Sequence, residues 1–96
     1  MRENQYQKTL KKKIESRFPN AMVFKNEARQ GIPDLLILNG DRWASLEVKR
    51  SENEKKQPNQ EYYVNKMNEM SYSSFIFPEN EEAVLDELQR ALQPRG

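Results

Sequence analysis

The chain has 96 residues and a formal net charge of +1, with 35% hydrophobic and 32% charged residues. This length predicts one small domain over 1–96, with a modest core and a strongly charged surface. The absence of cysteine excludes disulfides, thiol catalysis and cysteine-ligated zinc, and it fits a reducing compartment such as the cytoplasm. The absence of histidine removes the commonest general base, so proton chemistry must use carboxylates, lysine, tyrosine or metal-bound water.

No association with a membrane is expected. No apolar run approaches the length of a membrane-spanning helix, and the N-terminus lacks the apolar region of a signal peptide. The charge is unevenly distributed, since residues 1–30 carry eight Lys/Arg against three Asp/Glu and residues 61–96 carry three against seven. The basic N-terminal third suggests a surface for phosphate backbones, although a charge run taken alone is more often a solvated helix face.

Residues 3–16 have helical periodicity, with an apolar stripe of Tyr6, Leu10, Ile14 and Phe18. Glu3 lies on this stripe, seven residues before Leu10, whereas Glu15 is rotated off it. Glu3 is therefore the better candidate to bring a carboxylate from this helix to a site. The alternative stays open, because an acid at a helix N-terminus also complements the helix dipole.

Three strands are predicted to follow the helix, over residues 21–25, 35–38 and 43–49. Asn39-Gly40 is a strong hairpin signal between the second and third strands, because both residues tolerate positive φ. Alternation in the third strand sends Ala44, Leu46 and Val48 to one face, and sends Trp43, Ser45, Glu47 and Lys49 to the other. Pro33 places Asp34 at the start of the second strand.

The predicted hairpin brings two acids together. Folding about Asn39-Gly40 pairs Leu38 with Asp41, Leu36 with Trp43 and Asp34 with Ser45. Glu47 is then the diagonal neighbour of Asp34 on the same face, roughly 7–8 Å away between Cα atoms, and Lys49 follows. Two hard oxygen ligands suit a divalent cation such as Mg²⁺, which binds through one or two carboxylates and keeps several waters.

The second half of the chain predicts a crossover. Residues 50–57 form a charged loop that we expect to be exposed and mobile, and Pro58 begins a helix that ends near Met70. A strand over 72–77 and a helix capped by Asn80 complete the order α-β-β-β-α-β-α. We therefore predict an α/β fold with a mixed four-stranded sheet, flanked by helices, in which a right-handed crossover makes the last strand parallel to the third.

These residues resemble the motif of the PD-(D/E)XK nuclease superfamily. Pro33-Asp34 is followed after twelve residues by Glu47-Val48-Lys49, on the second and third strands of a meander that has a helix before it and a crossover after it. The Gly31–Leu36 segment, the Leu46–Lys49 strand and Gln60 are similar to small stand-alone VRR-NUC domains and archaeal-type Holliday junction resolvases. The name-giving Val-Arg-Arg is not visible. The likeness covers nearly the whole chain and implies a restriction-endonuclease-like αβββαβ core with an extra C-terminal helix.

The resemblance implies roles for the site residues. Asp34 and Glu47 would bind Mg²⁺ or Mn²⁺ with help from the Val48 carbonyl, and Lys49 would position the attacking water. Glu3 is a further candidate ligand from its place on the stripe of the first helix. Gln60 resembles a glutamine that lines the site, although an ordinary helix-surface amide is an equal alternative. For any one basic residue, general surface charge is the commoner explanation. The plausible phosphate contacts are Lys8, Lys11, Lys12, Lys25 and Arg29.

Two classes of function follow. The first is a metal-dependent endonuclease that hydrolyses DNA phosphodiester bonds, acts as a homodimer and recognises branched or flapped DNA by shape. A sequence-specific, restriction-like nuclease is a rival within this class, but the short chain leaves little room for a base-reading insertion. The second class is a non-catalytic nucleic-acid-binding module with the same fold. Short stand-alone members of the superfamily are often phage-encoded, and several are homodimers, so a cytoplasmic site in a bacterial host is expected.

Overall fold

The fold is that of a mixed sheet with helices on both faces. The computed structural model of the protein describes residues 2–27 and 29–93. Over these residues it has three helices and four strands, in the predicted order. The elements are α1 (Glu3–Arg17), β1 (Met22–Lys25), β2 (Leu35–Asn39), β3 (Arg42–Val48), α2 (Pro58–Met70), β4 (Tyr72–Ile76) and α3 (Glu81–Ala91).

The strands lie in the order β1-β2-β3-β4. Strands β1, β2 and β3 form an antiparallel meander, and β4 is parallel to β3 because α2 carries the chain back across the sheet. This arrangement confirms the predicted α/β class, with an αβββαβ order and a further helix at the C-terminal end. No helix in the described part of the chain has the length and apolar content needed to cross a membrane.

The core lies on one face of the sheet. Helices α1 and α3 cover this face, and the predicted stripe of α1 is buried throughout. Strand alternation supplies the other side of the core, in which Ile37, Ala44, Leu46, Val48 and Ile76 are fully buried. Helix α2 covers only β3 and β4 on the opposite face, so the β1–β2 half of that face is open. The apolar residues exposed on this open half are Met22, Phe24 and Leu38.

A polar contact fixes α1 against α3. The Tyr6 hydroxyl donates a hydrogen bond of 2.8 Å to Glu81 Oε1, and Lys13 Nζ lies 2.6 Å from Glu81 Oε2. Glu81 has only 9% of its surface exposed, so its charge depends on these two partners. The contact fixes the rotation of α1, and with it the place of the first turn of that helix.

The hairpin turn is one residue later than the sequence predicts. Asn39 belongs to β2 and pairs with Arg42, so Gly40 and Asp41 are the two loop residues. Gly40 has φ 63°, whereas Asp41 has negative φ, as does every non-glycine residue in the described chain. Positive φ at the first loop residue alone is the pattern of a type II′ turn. Asn39 is held in the strand by a hydrogen bond of 2.8 Å from Nδ2 to the Leu92 carbonyl, a tertiary contact that turn statistics do not contain.

The predicted strand register was wrong by two residues. Leu38 pairs with Trp43 rather than Asp41, and Leu36 pairs with Ser45 rather than Trp43. Because side chains alternate with period two, an even shift preserves the predicted faces. Continuing the observed register by one pair beyond Leu35–Leu46 sets Asp34 directly opposite Glu47. The two acids are therefore closer neighbours than the predicted diagonal arrangement allowed.

The turn assignment predicts different responses at its two central positions. Replacing Gly40 with alanine should lower the free energy of unfolding by about 1–2 kcal/mol, because an L-residue is strained at positive φ. The matched variant Asp41→Ala should change it by less than about 0.5 kcal/mol, since this residue has negative φ and is exposed. Urea denaturation of both variants measures the difference, and equal losses would contradict the turn.

Candidate metal centre and adjoining cleft

Three carboxylates from three segments converge at one end of the sheet. Glu3 lies in the first turn of α1, Asp34 directly precedes β2, and Glu47 is the penultimate residue of β3. One carboxylate oxygen from each lies within 4.8 Å of the other two. The structure thus brings Glu3 to the acids of the hairpin, while Glu15 pairs with Lys11 on the exposed surface of α1.

Backbone contacts fix Asp34. Its Oδ2 accepts a hydrogen bond of 2.9 Å from the Val48 amide, and its carbonyl accepts one of 2.7 Å from the Asn26 amide. Val48 itself is fully buried on the core face. The β2–β3 pairing therefore fixes the positions of both acids, Asp34 and Glu47. The strand that carries Glu47 also supplies the Val48 amide, which orients the Asp34 carboxylate.

The three clustered carboxylates are electrostatically unfavourable neighbours. Glu47 has only 3% of its surface exposed, and burial, followed by the charge of Asp34 and a hydrogen bond between the two carboxyl groups, raises its pKa well above the usual range. Burial, followed by the charges of Glu54 and Asp34, raises the pKa of Glu3. A bound divalent cation would offset this repulsion, and the donor set of three hard oxygens fits Mg²⁺ or Mn²⁺.

Lys49 and Gln60 form the other side of the cluster. Lys49 is buried, and its Nζ donates a hydrogen bond of 2.8 Å to Gln60 Oε1. Gln60 Nε2 in turn donates to Glu47 Oε2 at 3.3 Å, and Gln60 Oε1 also accepts from the Gln57 amide at 3.0 Å. Gln60 therefore bridges the acid and the lysine of the motif, which is more than an ordinary surface amide does.

The loop over residues 50–57 is not wholly exposed, contrary to the prediction. The Glu54 side chain has 19% of its surface exposed, and its Oε2 lies 3.7 Å from Lys49 Nζ. The Lys55 carbonyl also accepts a hydrogen bond of 3.1 Å from Lys49 Nζ. Sequence reasoning missed Glu54 because a glutamate among charged residues has no pattern that separates it from solvated neighbours such as Glu52.

A cleft of about 300 Å³ opens beside the cluster. Asp34, Glu47 and Gln60 form its floor, and residues of the loop between β1 and β2 form its wall. Gly31 is necessary in this wall, because it has φ 95° and a Cβ there would lie 2.6 Å from Asn59 Nδ2 of α2. Close approach of the loop to α2 thus shapes the cleft, and two of the three clustered acids, Asp34 and Glu47, line it.

The basic residues predicted to bind phosphate are dispersed. Arg29 is exposed and lines the cleft. Lys25 pairs with Glu27 at 3.5 Å and Lys11 pairs with Glu15 at 2.9 Å. Lys8 and Lys12 are exposed on α1. Of the five candidates only Arg29 lies in the wall of the cleft, so it is the one cation that the described structure brings to the carboxylates from this predicted set.

Comparison of the chain with protein-family models, with curated proteins and with solved structures finds no significant match.

The raised pKa of Glu47 predicts a pH-dependent stability without metal. A carboxyl group whose pKa is higher in the folded state than in the unfolded state stabilises the fold when protonated. That stability is lost as the pH rises above the unfolded value of 4.5 towards the raised folded value. In EDTA, Glu47→Gln should therefore unfold at a higher temperature than the native chain at pH 7–8, by several degrees, since each unit of pKa shift is worth about 1.4 kcal/mol.

Thermal unfolding followed by circular dichroism between pH 4.5 and 8 measures this difference. Glu52→Gln, which removes an exposed carboxylate from the neighbouring loop, is the matched control and should follow the native curve. If the unfolding temperatures of the native chain and Glu47→Gln change in parallel with pH, ionisation of Glu47 does not destabilise the fold, and the prediction is wrong.

Proposed function

We propose that the protein is a divalent-metal-dependent nuclease of the PD-(D/E)XK type that hydrolyses phosphodiester bonds of DNA. The observation that carries the proposal is the convergence of Glu3, Asp34 and Glu47 within 4.8 Å, beside a cleft, with the buried amine of Lys49 bridged to Glu47 through Gln60. Acids that repel one another around a buried member such as Glu47 are costly to the fold, and such clusters are concentrated at functional sites.

Four residues of the site would bind the metal in the proposed hydrolysis. Asp34, Glu47 and Glu3 would hold Mg²⁺ or Mn²⁺, and the Val48 carbonyl is the further ligand that the resemblance implies. When bound, such a cation lowers the pKa of a coordinated water and offsets charge on the phosphate. This chemistry makes histidine unnecessary. Water attacks phosphorus and a sugar oxygen leaves, so that one phosphate monoester end and one hydroxyl end are produced.

Lys49 and Gln60 would act on the reacting groups. The ammonium of Lys49 lies at the edge of the carboxylate cluster, where it can orient the attacking water and stabilise the growing negative charge on the phosphate oxygens. Gln60 orients the ammonium through its Oε1 and orients Glu47 through its Nε2. Arg29 in the cleft wall would contact a phosphate of the bound strand.

The proposed substrate is branched or flapped DNA, recognised by shape. The wall of the cleft is a short polar loop, and no insertion in the described chain could enter a major groove to read bases.

A non-catalytic nucleic-acid-binding module is the second candidate. The exposed Arg29 and the basic residues of α1 are compatible with it, but binding alone gives no reason to bury Glu47 and Lys49. We further propose that the protein acts in the cytoplasm of a bacterial host.

Cleavage assays test the enzyme. A four-way junction, a flap and a linear duplex are each incubated with the protein and Mg²⁺, Mn²⁺ or EDTA. We expect metal-dependent cleavage that is faster on the branched substrates, and losses of about 100-fold or more in Asp34→Asn, Glu47→Gln and Lys49→Ala. Glu15→Gln, which changes an exposed acid of α1 away from the cluster, is the control and should stay active.

The outcomes separate the candidates. No metal-dependent cleavage of any substrate, or full activity in Asp34→Asn, would overturn the nuclease proposal. Binding of branched DNA without cleavage would favour the non-catalytic module, and strong preference for one linear sequence would favour the restriction-like alternative.

A homodimer is also proposed, and the open half of the sheet supports it. Met22 and Phe24 of β1 have 58% and 45% of their surfaces exposed, and Leu38, the strand partner of Met22, has 37% exposed. Apolar residues that are adjacent and exposed mark interaction surfaces more often than isolated ones do. A second copy is the proposed partner, since two cleavage sites suit a branched substrate with paired strands.

Sedimentation velocity tests the dimer. The native chain should sediment as a dimer, and Phe24→Asp should shift it to the monomer because a charge would be buried in the interface. Tyr62→Asp, which changes an exposed aromatic residue of α2, should remain dimeric. A native chain that is monomeric at high concentration would contradict this proposal.

A further inference from the structure

The ammonium of Lys49 is enclosed by one short segment of the chain. The Lys49 side chain has 4% of its surface exposed, and its Nζ donates to Gln60 Oε1 at 2.8 Å and to the Lys55 carbonyl at 3.1 Å. The third partner is Glu54, whose Oε2 is 3.7 Å away. All three partners lie in residues 54–60, so the side chain of Lys49 is located by the loop after its own strand and by the start of α2.

Glu54 is itself fixed in the loop. Its Oε1 accepts a hydrogen bond of 2.6 Å from the Arg50 amide and one of 3.4 Å from Arg50 Nε. Its own amide donates to the Ser51 carbonyl at 3.2 Å, which closes a turn. One carboxylate oxygen therefore holds the loop and the other faces Lys49, so the position of Glu54 is determined independently of the lysine.

A buried ammonium needs a counter-charge. Over residues 2–27 and 29–93, Glu54 is the carboxylate within ion-pair distance of Lys49 Nζ. The acids of the metal cluster are not available for this purpose, because a bound cation would take up their negative charge. Glu54 is not one of the three clustered acids, although its charge also acts on Glu3, and it would remain as a counter-charge for Lys49 when the cluster is occupied.

We propose that Glu54 is a positioning residue, which acts through Lys49 by holding its ammonium at the edge of the carboxylate cluster. This role rests on the proposed nuclease function, and it extends the site from the hairpin to the loop over residues 50–57. Glu54 touches neither the substrate nor the metal in this assignment. Its removal should therefore reduce turnover rather than substrate binding, because it misplaces a group that acts in the transition state.

Chemical modification of Lys49 tests the contact without any assay of activity. The protein is treated with a limiting amount of acetylating reagent, and acetylation of each lysine is measured by mass spectrometry, with the exposed Lys66 of α2 as internal reference. Lys49 should react slowly in the native chain. It should react several-fold faster in Glu54→Gln, which keeps an acceptor for the Arg50 amide but loses the charge, and Glu52→Gln should match the native chain.

Kinetics test whether Glu54 acts through Lys49. Glu54→Gln should lower kcat on the order of 10-fold with little change in KM, which is the usual size of an effect from a residue that supports a site. In the Lys49→Ala background the same change should have no further effect, because the group it positions is absent. A role confined to folding would lower activity equally in both backgrounds.

Each outcome decides the proposal. Unchanged acetylation of Lys49 in Glu54→Gln, or equal losses of kcat in the two backgrounds, would overturn it. If Glu54→Gln does not fold, Glu54→Asp takes its place, and intermediate reactivity of Lys49 is the result expected from a shorter but charged side chain. If the native chain cleaves no DNA, the nuclease proposal fails, and the acetylation result alone decides whether Glu54 holds Lys49.

Discussion

The pairing of β2 with β3 is the constraint on which the site depends. It sets Asp34 opposite Glu47, and the Val48 amide of the same strand binds Asp34 Oδ2. Two acids are held in contact at a place where one of them is almost wholly buried. Their repulsion works against folding, and a hard cation is the simplest partner that would relieve it. The hydrophobic core formed by the other face of the sheet with α1 and α3 offsets that cost.

The rest of the site is assembled from elements that pack against this hairpin. Helix α1 brings Glu3 because its stripe is buried and because Tyr6 and Lys13 fix its rotation through Glu81. Helix α2 brings Gln60 in its first turn, where the side chain reaches both Glu47 and Lys49. The carboxylates come from three separate segments, so the cluster exists only when α1 is packed on the sheet and β2 is paired with β3.

The two faces of the sheet differ in the residues that they carry and in the helices that cover them. One face carries the core and is covered by α1 and α3, and the other carries the polar site under α2 and an open apolar half on β1 and β2. The open apolar half is the surface on which the proposed second copy would dock, and the proposed branched substrate would be served by the two sites of such a pair.

The sequence by itself determined the element order, the α/β class and the residues of the hairpin site, because alternation and helical periodicity report which side chains share a face. An error of two residues in the register left Asp34 and Glu47 on one face, since the period of a strand is two. Only the tertiary structure decided which residues form the hairpin turn, because the hydrogen bond from Asn39 Nδ2 to the Leu92 carbonyl holds Asn39 in the strand. It also decided the positions of Glu3, Gln60 and Glu54, because their partners are distant in sequence or lie in a loop without periodicity, and local sequence patterns do not predict such contacts.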